Sequence, residues 1–115
     1  MNKIQSFSDI ITNSSSEVFV ITTNKHAEVS EFIKDVCDLL GIDMDEIMSF
    51  KSSTHTGEDP DGAGKVKKGD LIIYGNYDNS IPDIIMDLIA NLDYNSWIPK
   101  LENLNIKCVI RRHLG

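Results

Sequence analysis

Two short apolar runs, each followed by an amphipathic segment, constrain the fold more than any other feature of this chain. Residues 18–21 and 71–74 are rich in β-branched and aromatic side chains and are bounded by polar turns. A strand without polar alternation is typical of a parallel sheet, in which both faces of the strand are covered by helices. The two runs therefore predict the central strands of a small α/β domain.

Helical periodicity follows the first run. Between residues 25 and 40 the apolar side chains recur at three- and four-residue steps and share one helix face. Asn24 is placed to cap the start of this helix. A short second helix is predicted over residues 44–50.

The second run is followed by a similar pattern. Ser80 and Asp83 have capping-box spacing ahead of a periodic apolar segment, which predicts another helix. Residues 106–111 alternate enough to form a strand near a sheet edge. The predicted order is β-α-(α)-β-α-β, with a three- to four-stranded, mostly parallel sheet. Residues 4–11 are a candidate fourth strand, and the last strand is alternatively antiparallel.

The chain is short enough to form one domain, spanning residues 1–115. Within it, residues 51–70 are rich in glycine and contain only two apolar residues, so they predict a long flexible loop. A phosphate-binding P-loop needs a lysine directly after its second glycine and then serine or threonine, but here Ala63 follows Gly62 and Val66 follows Lys65. The segment also has Ala63 and Lys65 where a calcium loop needs ligands. We therefore predict no metal and no cofactor.

Charge narrows the possible partners. The net charge is −7, and residues 1–60 contribute all of it, with eleven acids and four lysines. Phosphate backbones and anionic membranes repel such a chain, whereas a basic protein surface attracts it. No run of about 18 apolar residues is present, and residues 1–6 lack the apolar stretch of a secretory leader, so we expect neither a membrane span nor a leader. Two cysteines, Cys37 and Cys108, are too few for a disulfide framework and are predicted to lie in the core, so we expect a cytoplasmic protein.

One row of acidic side chains is the leading candidate for binding a partner. It lies on the predicted first helix, away from the apolar stripe, and comprises Glu28, Glu31, Asp35 and Asp38. A ladder of carboxylates of this kind suits a basic surface. The alternative is an ordinary solvated helix face.

Polar residues that follow the predicted strands suggest a second site. Because parallel strands end at a common sheet edge, these residues would gather there. They would bind an anion through helix starts and arginine side chains. The candidates are Asn24, Asn79, Ser80, Arg111, Arg112 and His113. The alternative is that they are only helix caps and surface ion pairs.

Catalysis has little support in the sequence. The hydroxyl-rich residues 12–16 have no histidine at a spacing that would make one of them a nucleophile, and no nucleophile elbow is present. We predict no catalytic residue and favour a non-enzymatic role.

Three stretches carry a family resemblance. Residues 7–19 (FSDIITNSSSEVF), 78–82 (DNSIP) and 111–115 (RRHLG) resemble small uncharacterised proteins encoded by tailed bacteriophages and related mobile elements. The resemblance implies a setting in the bacterial cytoplasm during infection or in a virion, and it assigns no residue roles. Together with the charge, it predicts an accessory or host-modulating protein that binds a protein partner. The alternatives are an anion-binding domain or enzyme at the strand ends, and a structural component of the virion.

Overall fold

A computed structural model describes residues 16–76, 81–93 and 104–114. These residues form six strands and three helices. In chain order the elements are β1 (Ser16–Thr22), α1 (His26–Leu39), α2 (Met44–Ile47), β2 (Met48–Ser52), β3 (Gly57–Glu58), β4 (Lys65–Val66), β5 (Leu71–Gly75), α3 (Asp83–Ala90) and β6 (Cys108–Leu114).

Four strands form the main sheet, in the order β2-β5-β1-β6, and every neighbouring pair is antiparallel. The prediction of a mostly parallel sheet is therefore wrong. In the central register, Phe19 of β1 lies opposite Ile73 on one side and Arg111 on the other. The edge position predicted for the last strand is confirmed, and so is its antiparallel alternative.

The helices connect strands that are not neighbours. α1 and α2 lead from β1 to β2 with β5 lying between those two strands, and α3 leads from β5 to β6 with β1 between them. Two β-α-β units are thus interleaved, and the strands that each unit joins run in the same direction without pairing. This is the connectivity of the split β-α-β, or ferredoxin-like, arrangement.

Both faces of the central strands β1 and β5 are covered, which explains why these two strands lack polar alternation. On one face, Phe19 and Ile73 pack with Ile33 of α1 and Ile85 of α3. On the other face, Val18, Val20 and Ile72 pack with Ala63 and Val66. Ala63 precedes the short strand β4, and Val66 is the last residue of that strand. A strand that is buried on both faces reads as continuously apolar whichever way its neighbours run, so the pattern did not establish strand direction.

The second covering layer comes from the segment that was predicted as a loop. Residues 51–70 contain the end of β2 and the antiparallel pair β3–β4. Asp59 and Asp70 in this segment are buried. The segment is therefore a packed layer of the fold, and its flexibility stays a prediction.

Several local expectations change. The helix predicted over residues 44–50 ends at Ile47, and the chain continues into the edge strand β2. The alternation of Met48, Ser49, Phe50 and Lys51 is the sequence signal for that strand. The candidate strand over residues 4–11 lies outside the described residues.

The helix starts also differ from expectation. Asn24 does not cap α1, whose N-cap is Lys25 without a side-chain hydrogen bond. Instead, Oδ1 of Asn24 accepts a hydrogen bond of 2.8 Å from Nδ2 of Asn105. The proposed cap residue Ser80 lies outside the described residues, and Pro82 is the N-cap of α3. None of the described helices is long and apolar enough to cross a bilayer.

Candidate functional site

The common sheet edge expected for the polar clusters does not form. Because β1 and β6 are antiparallel, Cys108 lies opposite Thr22 at one end, and His113 lies opposite Glu17 at the other. Glu17 and Thr22 are five residue steps apart along β1, or about 17 Å of strand. Asn24 follows Thr22 and is therefore remote from the three basic residues near the end of β6. Asn79 and Ser80 lie outside the described residues, as does the side chain of His113.

The two arginines of this predicted site bond to the chain itself. Nε of Arg111 donates a hydrogen bond of 2.6 Å to Oε1 of the buried Glu17. This hydrogen bond, helped by the charge of Glu17, raises the pKa of Arg111 above its ordinary value. Arg112 donates to the backbone oxygens of Ala63 and Lys65. Both arginines therefore hold parts of the fold together.

The acidic row on α1 is exposed as predicted, but two of its four members are paired. Nζ of Lys25 lies 3.8 Å from Oε2 of Glu28, and Nζ of Lys34 lies 3.0 Å from Oδ2 of Asp38. Such exposed pairs contribute little to stability, but each offsets the charge of one acid. Within the described part of the chain, Glu31 and Asp35 make no ion pair, and they carry the remaining negative charge of this row.

An apolar groove lies between α1 and α3, and we call it the α1–α3 groove. It has a volume of about 530 Å³, and its lining residues are Val36, Ile84, Asp87, Leu88 and Asn91. The side chain of Ile84 is 60% exposed, although its periodic spacing matches that of the core residues of α3. The spacing alone gave no sign that this isoleucine faces outward.

Helical spacing brings acidic side chains next to this groove. On α1, Glu31, Asp35 and Leu39 are four residues apart and form one row, beside the row that contains Val36. Leu39, at the end of that row, is 87% exposed. On α3, Asp83 lies one turn before Asp87, and both acids are exposed. The groove therefore combines an apolar floor with Asp87 of α3 in its lining, and the exposed acids Glu31 and Asp35 lie in the neighbouring row of α1.

A buried polar network lies on the other face of the sheet. Nζ of Lys51 lies 2.7 Å from Oδ1 of Asp59 and 2.5 Å from Oδ2 of Asp61. Burial alone would raise the pKa of Asp59, but hydrogen bonds from Lys51, from Tyr74 and from the Ala63 amide together lower it to about 2. Burial, reinforced by the hydrogen bond to Asp59, raises the pKa of Tyr74 to about 12. Every polar group of this network has a partner, so we assign it a structural role.

Metal chemistry finds no support in the described residues, where no three histidine, cysteine, aspartate or glutamate side chains are placed to share an ion. Comparison of the chain with family models, curated proteins and solved structures gave no match. The resemblance to phage-encoded proteins stays a prediction. Function must therefore be inferred from the geometry and charge of the described surfaces.

Proposed function

We propose that this chain is a non-enzymatic binding protein that takes up a basic, amphipathic segment of a partner protein in the α1–α3 groove. The observation that carries the proposal is the apolar floor of the groove, with Asp87 of α3 in its lining and the exposed acids Glu31 and Asp35 in the neighbouring row of α1. Apolar grooves are a common binding site for an amphipathic helical segment.

The apolar part of the groove supplies the binding free energy. Ile84 in the lining is 60% exposed, and Leu39 at the end of the neighbouring row on α1 is 87% exposed, so a partner in the groove could remove much of this surface from water. Complete burial of a side chain of this size is worth about 1.5–3 kcal/mol. Apolar surface concentrated in a groove, as opposed to scattered over the molecule, is typical of an interaction site.

The acidic part of the groove selects the charge of the partner. Asp35 on α1 and Asp87 on α3 lie beyond ion-pair distance of every described cation, although the charge of Arg111 interacts with Asp87. An acidic segment brought to the groove would be repelled by both, whereas lysine or arginine side chains beside its apolar residues would be attracted. The charges thus favour a basic segment and speed its approach.

The setting of this activity follows from the family resemblance alone. It favours an accessory or host-modulating protein in the bacterial cytoplasm, with a structural role in a virion as the alternative. An anion site at Arg111 and Arg112 is less well supported, because Arg111 binds Glu17 and Arg112 binds backbone oxygens.

The test uses a labelled helical peptide of leucine and lysine, with the leucines on one face, and measures binding by fluorescence anisotropy. Asp35→Asn combined with Asp87→Asn is expected to weaken binding about tenfold, since charged pairs at a partly buried contact contribute substantially. Glu58→Gln is the matched control, because Glu58 is an exposed acid on β3 and lies outside the groove. It is expected to leave the affinity unchanged.

Two further peptides test the two halves of the proposal. A leucine–glutamate peptide with the same pattern is expected not to bind, and a scrambled leucine–lysine peptide is expected to bind weakly. Backbone amide resonances should shift in α1 and α3 and not in β3 or β4. Equal binding of the ordered and scrambled peptides, or shifts confined to β3 and β4, would refute the proposal.

A further inference from the structure

Lysine and arginine side chains divide into two groups in the described part of the chain. Five of the nine have a partner: Lys25, Lys34, Lys51 and Arg111 pair with acids, and Arg112 donates to backbone oxygens. Among the described residues, the other four make no ion pair: Lys65, Lys67, Lys68 and Lys107. Cations without acidic partners are unexpected in a chain that has 18 acids and 11 bases.

These four lysines gather at one place. Lys67, Lys68 and Lys107 line a cleft of about 670 Å³ at the end of β1. An adjoining groove of about 530 Å³ is lined by Lys65 and again by Lys67 and Lys107. We call the two together the lysine cleft. The cleft brings residues from the segment before β5 next to a residue that lies about 40 positions later in the chain.

Hydrogen bonds fix the backbone on both sides of the lysine cleft. On one side, Oγ1 of Thr23 donates to the Leu104 oxygen at 2.6 Å, and the Lys107 amide donates to the Thr22 oxygen at 2.9 Å. These bonds hold Lys107 beside the end of β1. Because the backbone is ordered before a ligand arrives, less ordering entropy is lost on binding.

On the other side, the turn that carries Lys67 and Lys68 is tied to the first residue of α1. Nε2 of His26 lies 2.7 Å from the Gly69 oxygen, and since a carbonyl only accepts, this nitrogen is the donor. The Lys68 amide donates to Oγ1 of Thr56 at 3.0 Å. The buried Asp70 also lines the cleft, and its Oδ2 accepts from the Lys67 amide at 2.9 Å. Among the described residues that line the cleft, Asp70 is the one acid, against four lysines.

We propose that the lysine cleft binds a compact ligand that carries two or more phosphate groups. Lysine ammonium groups bind phosphate oxygens as point charges, and the amide of Asn24 and the hydroxyl of Thr22 add polar contacts in the same lining. Several cations in one cleft suit several anionic groups on one ligand.

Charge and lining both favour a compact ligand over a nucleic acid. Electrostatic interactions are screened within about 8 Å at physiological ionic strength, so a small anion in the cleft senses mainly these lysines. A long nucleic acid would extend over a protein whose net charge is −7. No phenylalanine, tyrosine or tryptophan is among the described residues that line the cleft, so stacking of bases has no platform there.

Titration calorimetry with sodium tripolyphosphate tests this inference. Lys107→Gln is expected to weaken binding about tenfold, in line with the loss of one hydrogen bond to a charged group, and Lys67→Gln combined with Lys68→Gln is expected to weaken it further. Lys34→Gln is the matched control. It removes the same charge from an exposed lysine on α1 that lies outside the cleft and pairs with Asp38, and it is expected to bind as the parent chain does. Circular dichroism verifies that each variant is folded.

Three results would overturn the proposal. The first is no binding of tripolyphosphate at millimolar concentration. The second is equal weakening by Lys107→Gln and Lys34→Gln, which would show that only the total charge matters. The third is tighter binding of a single-stranded oligonucleotide than of tripolyphosphate, which would point to a nucleic acid. All three are independent of the leucine–lysine peptide, so this inference and the proposed function can fail separately.

Discussion

The hydroxyl of Tyr74 donates a hydrogen bond of 2.5 Å to Oδ2 of Asp59, and this contact joins the central strand β5 to the segment that covers one face of the sheet. The same carboxylate accepts from the Ala63 amide at 3.0 Å and pairs with Lys51 of the edge strand β2. Only 3% of the Asp59 side chain is exposed. One buried acid therefore connects two strands to the covering layer, and we expect the stability of that layer to depend on its charge.

Acid is expected to loosen this layer. The pKa of Asp59 is about 2 in the folded chain, against an ordinary value of 3.8 for this side chain. The unfolded state therefore takes up a proton at higher pH than the folded state, so stability falls as pH drops from about 4 towards about 2. The difference corresponds to on the order of 2 kcal/mol, which is fully present only above that range. Urea unfolding across this range should show the difference between the parent chain and Asp59→Asn shrinking as pH falls, and a constant difference would contradict the assignment.

Removing the Tyr74 hydroxyl tests the same network at neutral pH. Tyr74→Phe keeps the ring but takes one hydrogen bond from the buried carboxylate, so we expect the free energy of unfolding to fall by about 1–2 kcal/mol. Asp61→Asn is the control, because the Asp61 side chain is 64% exposed although it also contacts Lys51. Loss of an exposed pair should cost less than about 1 kcal/mol. Equal effects of the two variants in urea unfolding would show that Tyr74 is not part of a buried network.

Most strand and helix positions were predicted correctly from the sequence, but the direction of the strands was not. The apolar runs at residues 18–21 and 71–74 fall inside β1 and β5, and the periodic segment 25–40 contains α1. The prediction of a parallel sheet failed because the covering layer was not recognised. A glycine-rich segment whose only apolar residues are Ala63 and Val66 gave no sign that it buries a sheet face. Burial on both faces then indicated helices on both sides, and hence a parallel sheet.

Neither the α1–α3 groove nor the lysine cleft was fully predicted from the sequence. The exposed acids of α1 were predicted, but the groove beside them depends on how α3 packs, and Ile84 has the same spacing as the core isoleucines of that helix. The lysine cleft was missed because Lys67 and Lys68 were attributed to a solvated loop, and because Lys107 reaches them only through the antiparallel position of β6. Cys108 was predicted to be buried and is exposed, because β6 is an edge strand whose second face is incompletely covered.

Two neighbouring isoleucines on α3 separate stability from binding. Ile85 is fully buried in the core and Ile84 is 60% exposed. We expect Ile85→Ala to lower the free energy of unfolding by about 2–5 kcal/mol, because it leaves a cavity. Ile84→Ala should change it by no more than about 0.5 kcal/mol, but it should weaken binding of the leucine–lysine peptide. Denaturation and anisotropy measurements on the same two variants check both statements, and peptide binding that is unaffected by Ile84→Ala would exclude Ile84 from the interface.

The two cysteines should differ sharply in their reactivity towards a thiol reagent. Cys37 is buried in the core, and burial raises the pKa of its thiol, so both access and thiolate formation are unfavourable. Cys108 is exposed on the edge strand β6. We expect a chromogenic disulfide reagent to modify one thiol rapidly in the native protein and the second only after urea is added. Cys108→Ser should abolish the rapid phase, and Cys37→Ser should leave it unchanged. Rapid modification of both thiols in the native protein would contradict the burial of Cys37, and protection of both would contradict the exposure of β6.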